Sequence, residues 1–249
     1  MEIITSRKNA YIRHLRQLGS DGAYRRERGE FLCDGVKTLR EALSFGARVT
    51  SVLWKEQPES VDDLACPAQY CAPGELFDYA SPLKNSPGPL FTVAMRGCGK
   101  LGKLNNAIVL ENVQDPGNVG TVIRTANAFG VGAVLLVGDC ADPWHPKTVR
   151  ATMGAVFRQP ILQMERDFLA DYLKDMELPL FGAALDPVAR DLRSLDVKQV
   201  AVAVGSEGRG LSAELLALCR EKLIIPMKPD SESLNAAVAA SVIMWEMAR

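Results

Sequence analysis

The chain has 249 residues, 47% of them hydrophobic and 24% charged, with a formal net charge of −1. Those fractions are typical of a soluble globular protein, and the length suits one large domain or two ordinary ones with a full apolar core. The near-neutral balance argues against a globally basic nucleic-acid binder but leaves room for a local basic patch.

Six cysteines stand at positions 33, 66, 71, 98, 140 and 219, none in a C-x-x-C pair, and there are only two histidines. This argues against a zinc or other metal site and for free thiols in a reducing compartment. The opening MEIITSRKNAYIRHL has no apolar signal core, and the apolar C-terminal stretch is too short to span a bilayer. The expectation is a cytoplasmic protein without a membrane segment.

The first 48 residues are the basic end, holding Arg7, Lys8, Arg13, Arg16, Arg25, Arg26 and Arg28. Ile12, Leu15 and Leu18 predict a short amphipathic helix ending at Gly19. A strand follows at 31–33, a helix at 35–45 stopped by Gly46, and strands at 49–54 and 68–71. A short helix at 74–79 and a strand at 90–95 complete a small α/β unit. RGCGKLGKLNN, residues 96–106, is rich in Gly and Lys and is the best linker candidate.

After it the pattern becomes strand–helix alternation. Strands are expected at 107–111, 133–137, 180–184, 200–204 and 222–226. Helices are expected at 118–129, 146–156, 167–176, 212–219 and 234–247. The strands are near-continuous apolar runs, which suits a parallel sheet covered on both faces.

Three segments carry chemistry-bearing residues. ENVQDPGNVGTVIRTANAFG, residues 111–130, joins a strand through a Pro-Gly turn to a helix bearing Asn118 and Arg124. By spacing alone Asn118 reads as a cap, and Arg124, on a core-facing helix, must be paired or lie at the rim. AVAVGSEGRGLS, residues 201–212, runs a buried strand into a glycine-rich loop with Gly205 and Glu207, then a helix capped by Ser212. Its glycines lack the G-x-G-x-x-G order of a dinucleotide fold, yet such a loop binds anions or adenosine through backbone N–H groups. IPMKPDSESLNAAVAASVIMWEM, residues 225–247, sends a strand through a polar loop to Ser233, Leu234 and Asn235 at the start of a helix apolar on every face. Read alone, its serine is an ordinary helix cap.

Taken together, the three segments resemble, in order and spacing, the signature motifs of the SpoU (TrmH-like) branch of knotted RNA 2'-O-ribose methyltransferases. The first carries Asn-x-Gly and Arg. The second carries G-x-E-G. The third carries I-P-M with a leucine eight residues after Pro226, within S-L-N. DPWHPKTVRATMGAVFRQP, residues 142–160, also resembles the family between motifs one and two. One departure is Pro229, where the family usually has glycine. The N-terminal unit resembles, more loosely, the RNA-binding substrate domain often fused ahead of the methylase.

The resemblance implies an α/β fold whose C-terminal parallel sheet carries a deep trefoil knot, behind a small N-terminal α/β domain. It implies a substrate-binding domain over 1–96, a linker at 97–106 and a methyltransferase domain over 107–249. It implies S-adenosylmethionine as donor, contacted by Gly205, Ile225 and Leu234. Arg124, Asn118, Glu207, Ser233 and Asn235 would form the catalytic set. RNA phosphates would meet Arg7, Lys8, Arg13, Arg25, Arg26 and Arg28. Ribosomal RNA is favoured and transfer RNA is the alternative substrate; a homodimer is implied. Two other classes compete. An RNA-binding homologue without catalysis is disfavoured by the intact Arg124, Glu207, Ser233 and Asn235. A nucleotide-dependent oxidoreductase is disfavoured by the missing dinucleotide fingerprint.

Overall fold

The structure is a computed structural model that describes every residue except 59, 60, 62, 63, 65, 67, 97–100 and 229–232. It divides into two compact units, Met1–Gly97 with Asp142–Phe157, and Cys98–Ala141 with Arg158–Arg249. In chain order the elements are β1 (Glu2–Ile3), α1 (Ala10–Ser20), α2 (Gly22–Arg28), β2 (Glu30–Asp34), α3 (Val36–Ser44), β3 (Val49–Lys55), β4 (Ala68–Ala72), α4 (Gly74–Ala80) and β5 (Leu90–Ala94). Then follow β6 (Ala107–Glu111), α5 (Pro116–Phe129), β7 (Ala133–Val137), α6 (Pro146–Ala151), β8 (Ile161–Met164), α7 (Arg166–Asp175), β9 (Leu180–Ala183), β10 (Arg190–Asp191), β11 (Ala201–Val204), α8 (Ala213–Leu218), β12 (Glu221–Ile224) and α9 (Ala236–Ala248).

In the first unit five strands form a mixed sheet in the order β1-β4-β3-β5-β2. Ile12, Leu15 and Leu18 of α1 are fully buried, as their spacing predicts, and they pack with Phe77, Leu53 and Leu90. Helix α2 was not anticipated, because GAYRRER has no apolar stripe. Its formation rests on Asp21, whose carboxylate accepts from the N–H groups of Ala23 at 2.8 Å and Tyr24 at 3.1 Å, and on Gly29, which closes it in the left-handed region.

Arg25 corrects an expectation. It was counted among RNA-gripping cations, but it is only 2% exposed. Its Nε and Nη2 donate to Asp142 Oδ2 at 3.0 and 2.6 Å, and Nη1 donates to the Leu18 carbonyl at 2.6 Å. This guanidinium is a structural anchor that joins segment 142–157 to α1 and α2 within the first unit. Helix α6 is shorter than the expected 146–156. Met153 (φ 50°) and Gly154 (φ 88°) leave the helical region, and the chain resumes as a 3-10 turn at Ala155–Phe157.

In the second unit seven strands form a wholly parallel sheet, ordered β10-β12-β9-β11-β6-β7-β8. Its core strands are the near-continuous apolar runs of the sequence: β6, β7 and β11 are buried at every residue. The edge strands β8 and β10 escaped prediction: β8 is only partly buried, with Gln163 exposed, and so is no continuous apolar run, and β10 has only two residues. Helix α9 packs along α5. It buries Ala236, Ala237, Ala240, Ile243, Met244 and Met247 on one stripe, while Val238, Val242 and Trp245 are exposed on the other side. Of the linker candidate, residues 97–100 lie outside the described residues. In the remainder, Asn106 Oδ1 accepts from the Gly132 N–H at 2.9 Å, within the second unit.

The strand order decides where a site forms. β6 continues to β7 and β8 on one side, while β11 and β9 lie on the other. The order therefore reverses between β6 and β11, which are hydrogen-bonded neighbours from Ala107↔Ala201 to Leu110↔Val204. In parallel α/β sheets, the crevice beyond the carboxyl ends of the strands at such a reversal is the usual ligand site.

Candidate active site

The three motif segments leave the carboxyl ends of β6, β11 and β12 and meet there. After β6 the Asp115 carboxylate accepts from the Asn118 N–H at 2.8 Å, and Pro116 opens α5. This is the arrangement preferred at a helix start. It frees the Asn118 side chain, so the cap is Asp115 rather than Asn118. After β11 the chain turns sharply: the Ser206 carbonyl accepts from the Gly210 N–H at 2.8 Å, and Gly210 has φ 65°. A Cβ on Gly205 would lie 2.1 Å from the carbonyl carbon and oxygen of Gly210, so no side chain fits there. After β12 the chain runs through residues 225–228 to Asn235, the N-cap of α9.

Asn118, Glu207 and Asn235, separated by tens of residues in sequence, form one hydrogen-bonded cluster. Asn118 Nδ2 donates to Glu207 Oε1. Asn235 Nδ2 donates to Glu207 Oε1 at 2.6 Å and to Asn118 Oδ1 at 3.1 Å. Asn235 Oδ1 meanwhile accepts from the N–H groups of Ala237 at 3.0 Å and Val238 at 3.2 Å. The N-cap of α9 is thus Asn235 rather than Ser233, and the same side chain also joins the cluster. Its helix orients the amide, and the amide orients the carboxylate. Among the described residues no hydrogen bond engages Glu207 Oε2, which leaves that oxygen available to a hydroxyl.

Beside the cluster is a cavity of about 500 Å³, within the usual size of a small-molecule site. Gly205, Glu207, Ile225, Ser233 and Leu234 line it, with Leu211, Leu216 and Leu223 as further apolar wall. The three residues expected to touch the donor thus share one pocket. Ser233 is exposed on its rim. Arg124 is exposed on α5, with no hydrogen bond or ion pair among the described residues, so it is a solvent-facing residue rather than a member of a buried pair, and it is not among the residues that line the cavity. Pro229 lies outside the described residues.

One part of the site was missed from sequence. Glu111 ends β6 fully buried and accepts from the Ser212 N–H at 2.8 Å and the Ser212 hydroxyl at 2.7 Å, with Arg166 Nη2 at 3.1 Å. Ser212 caps α8 through its hydroxyl, which accepts from the Leu215 N–H at 3.1 Å. The carboxylate therefore pins the downstream stem of the 205–211 loop to the neighbouring strand. The available signal was a lone acid closing an all-apolar strand, AIVLE. Its partner 101 residues away was not readable.

A wholly parallel α/β sheet with a polar triad at its strand reversal, and beside it a cavity over the carboxyl ends of β9, β11 and β12, is the architecture of an α/β ligand-binding protein. The chain matches the model of the SpoU rRNA Methylase family over residues 105–245, and it belongs to that family. It is 33% identical to an uncharacterized tRNA/rRNA methyltransferase of Synechocystis sp., over 99% of this chain and 93% of that one. It is 31% identical to the 23S rRNA (guanosine(2553)-2'-O)-methyltransferase RlmP of Bacillus subtilis, over 99% of both. Among solved structures, the AdoMet-bound rRNA methyltransferase from Sinorhizobium meliloti superposes with a TM-score of 0.87 at 27% identity, covering 99% of this chain and 97% of that one. The SpoU methyltransferase AviRb from Streptomyces viridochromogenes, in complex with AdoMet, gives a TM-score of 0.87 at 25% identity over 97% of both chains.

Proposed function

We propose that this enzyme transfers a methyl group from S-adenosylmethionine to a ribose 2'-hydroxyl of RNA, ribosomal RNA being the favoured substrate. The observation that carries this reading is the Asn118–Glu207–Asn235 cluster adjoining a cavity lined by Gly205, Ile225 and Leu234. The cavity fits the donor by its chemistry. The backbone of the turn at Gly205, where no side chain fits, suits a polar nucleoside edge, and the leucine and isoleucine walls suit an adenine face. When bound, S-adenosylmethionine supplies an electrophilic sulfonium methyl.

The chain's own residues do the rest. Glu207, fixed through Oε1, offers Oε2 to a ribose hydroxyl. Asn118 and Asn235 hold that carboxylate, and Ser233 at the rim adds a hydroxyl. Positioning of this kind is worth roughly 7–11 kcal/mol in well-oriented reactions. Arg124 grips a neighbouring phosphate and stabilises the developing alkoxide, while the hydroxyl proton leaves to water.

The finer architecture belongs to the same proposal. The C-terminal segment threads into a trefoil knot. Residues 1–96 form the substrate-binding domain and 107–249 the methyltransferase domain, joined at 97–106, with segment 142–157 lending its packing to the first unit. Arg7, Lys8, Arg13, Arg26 and Arg28 grip RNA phosphates. Two copies pair through the exposed apolar side of α9. Free thiols at Cys33, Cys66, Cys71, Cys140 and Cys219 support a reducing, cytoplasmic setting. Among the described residues no helix is long and apolar enough to cross a membrane.

The name of RlmP favours ribosomal RNA, and the relative from Synechocystis keeps transfer RNA as the second reading. Incubating the protein with methyl-labelled S-adenosylmethionine and each RNA, then mapping 2'-O-methyl sites, decides between them. Label in neither RNA would leave an RNA-binding homologue without catalysis.

A further inference from the structure

The first unit carries a groove around Arg13, one of the arginines proposed to grip RNA phosphates. It has a volume of about 730 Å³ and is lined by Arg13, Arg16 and Gln17 of α1, by Tyr79 at the end of α4 with Ser81 and Pro82 after it, and by His145. Its Tyr79 ring carries two guanidinium groups: Arg16 lies 4.1 Å and Arg7 4.7 Å from the ring centroid. Arg16 Nη1 also donates to the Tyr79 carbonyl at 2.6 Å. A surface arginine is ordinarily a mobile cation. Here one guanidinium plane is fixed at both face and edge, with Arg13, exposed and without an ion pair among the described residues, on the same wall.

We propose that this groove binds an unpaired stretch of the RNA substrate, a base stacking on the Tyr79–Arg16 platform while Arg13 and Arg7 meet its phosphates. The chemistry favours single strands over duplex. Unstacked bases lie flat on aromatic and guanidinium planes, whereas an A-form duplex presents backbone and 2'-hydroxyls across a shallow minor groove. A fixed guanidinium also loses less rotamer freedom when it is stacked upon. The inference rests on the RNA reading of this unit but is narrower, because it names the groove and the conformation of the RNA.

The test compares groove variants Arg16→Ala and Tyr79→Leu with Arg26→Ala/Arg28→Ala on α2, outside the groove. Affinity is measured by fluorescence anisotropy for a mixed-sequence 12-nucleotide RNA and for a blunt duplex of the same sequence. S-adenosylmethionine binding by calorimetry and thermal melting show that each variant is folded, and Arg16→Lys serves as a milder change should Arg16→Ala melt early. The groove variants are expected to lose about tenfold or more for the single strand and less than about threefold for duplex, in the range of base-stacking losses on alanine substitution. Equal losses for both RNAs would overturn the stacking assignment. If only the α2 variant weakens binding, the groove is not the RNA site although the unit still grips RNA. If no variant changes affinity, the groove inference and the RNA role of this unit fail together.

Discussion

Asn235 shows how one side chain serves two ends. Its Oδ1 caps α9 and its Nδ2 holds Glu207 and Asn118. Asn235→Ala should lose methyl transfer by about 100-fold, the scale on which a small misplacement acts, and should also cost about 1 kcal/mol of stability through the lost cap. Asn235→Ser retains a capping oxygen but not the amide. Its melting temperature should stay near that of the parent while activity remains as low as in the alanine variant. Recovery of activity in the serine variant would show that the cap, not the amide, is what matters. At Arg124 the guanidinium itself is at issue: Arg124→Lys keeps the charge but not the bidentate fork, and kcat is expected to fall about tenfold or more. Near-full activity of the lysine enzyme in a steady-state methylation assay would rule out a guanidinium-specific role.

At the scale of elements, segment 142–157 is held within the first unit by the part-buried Arg25–Asp142 pair together with the packing of Phe31 against Trp144 and Phe157. Arg25→Ala leaves Asp142 without its charge partner, and removing one member of such a pair costs about 3–5 kcal/mol. Denaturant unfolding should register that loss, whereas Arg26→Ala, exposed on the same helix, should fall within about 0.5 kcal/mol of the parent. The next cap along the chain carries a pH dependence. His145 Nδ1 accepts from the Lys147 N–H at 3.2 Å and opens α6. Burial first, and the neighbouring Arg25 second, push its pKa below the ordinary 6.5. The folded state therefore resists protonation that the unfolded chain accepts. Stability should be at its plateau above pH 6.5, decline as pH falls through that value, and level off below the folded pKa. His145→Asn keeps a capping oxygen and should flatten the decline in melting temperature over this window; an unchanged slope would assign it to another group.

For the whole molecule, the proposed pairing through α9 is the open question of assembly. Trp245 is 59% and Val238 48% exposed on a helix whose other stripe is fully packed. Trp245 touches Phe129 edge-on, with ring centroids 5.6 Å apart. A second copy covering this strip should appear as a dimer mass in light scattering. Val242→Glu should shift it toward monomer without lowering the melting temperature of the monomer itself. A parent protein already monomeric at micromolar concentration would dismiss the pairing.

The sequence by itself determined most elements and the motif residues that the fold gathers at the cluster and the cavity. Apolar runs reported β6, β7 and β11, and heptad-like spacing reported α1, because burial on two faces or one stripe leaves a direct trace in composition. The motif residues Asn118, Gly205, Glu207, Ile225, Ser233, Leu234 and Asn235 were legible as a set through their likeness to one family. Elements without a period, such as α2, β8 and β10, were not legible, since caps and edge pairing rather than a buried stripe define them. Tertiary structure alone decided which residues were free to act. Arg25 looked like its basic neighbours until Asp142, 117 residues away, buried it. Glu111 looked like the end of a strand until Ser212 and Arg166 closed on it. The triad, too, exists only because β6 and β11 are neighbours at the strand reversal. Partner choice across such separations is set by packing, and a linear pattern holds no record of it.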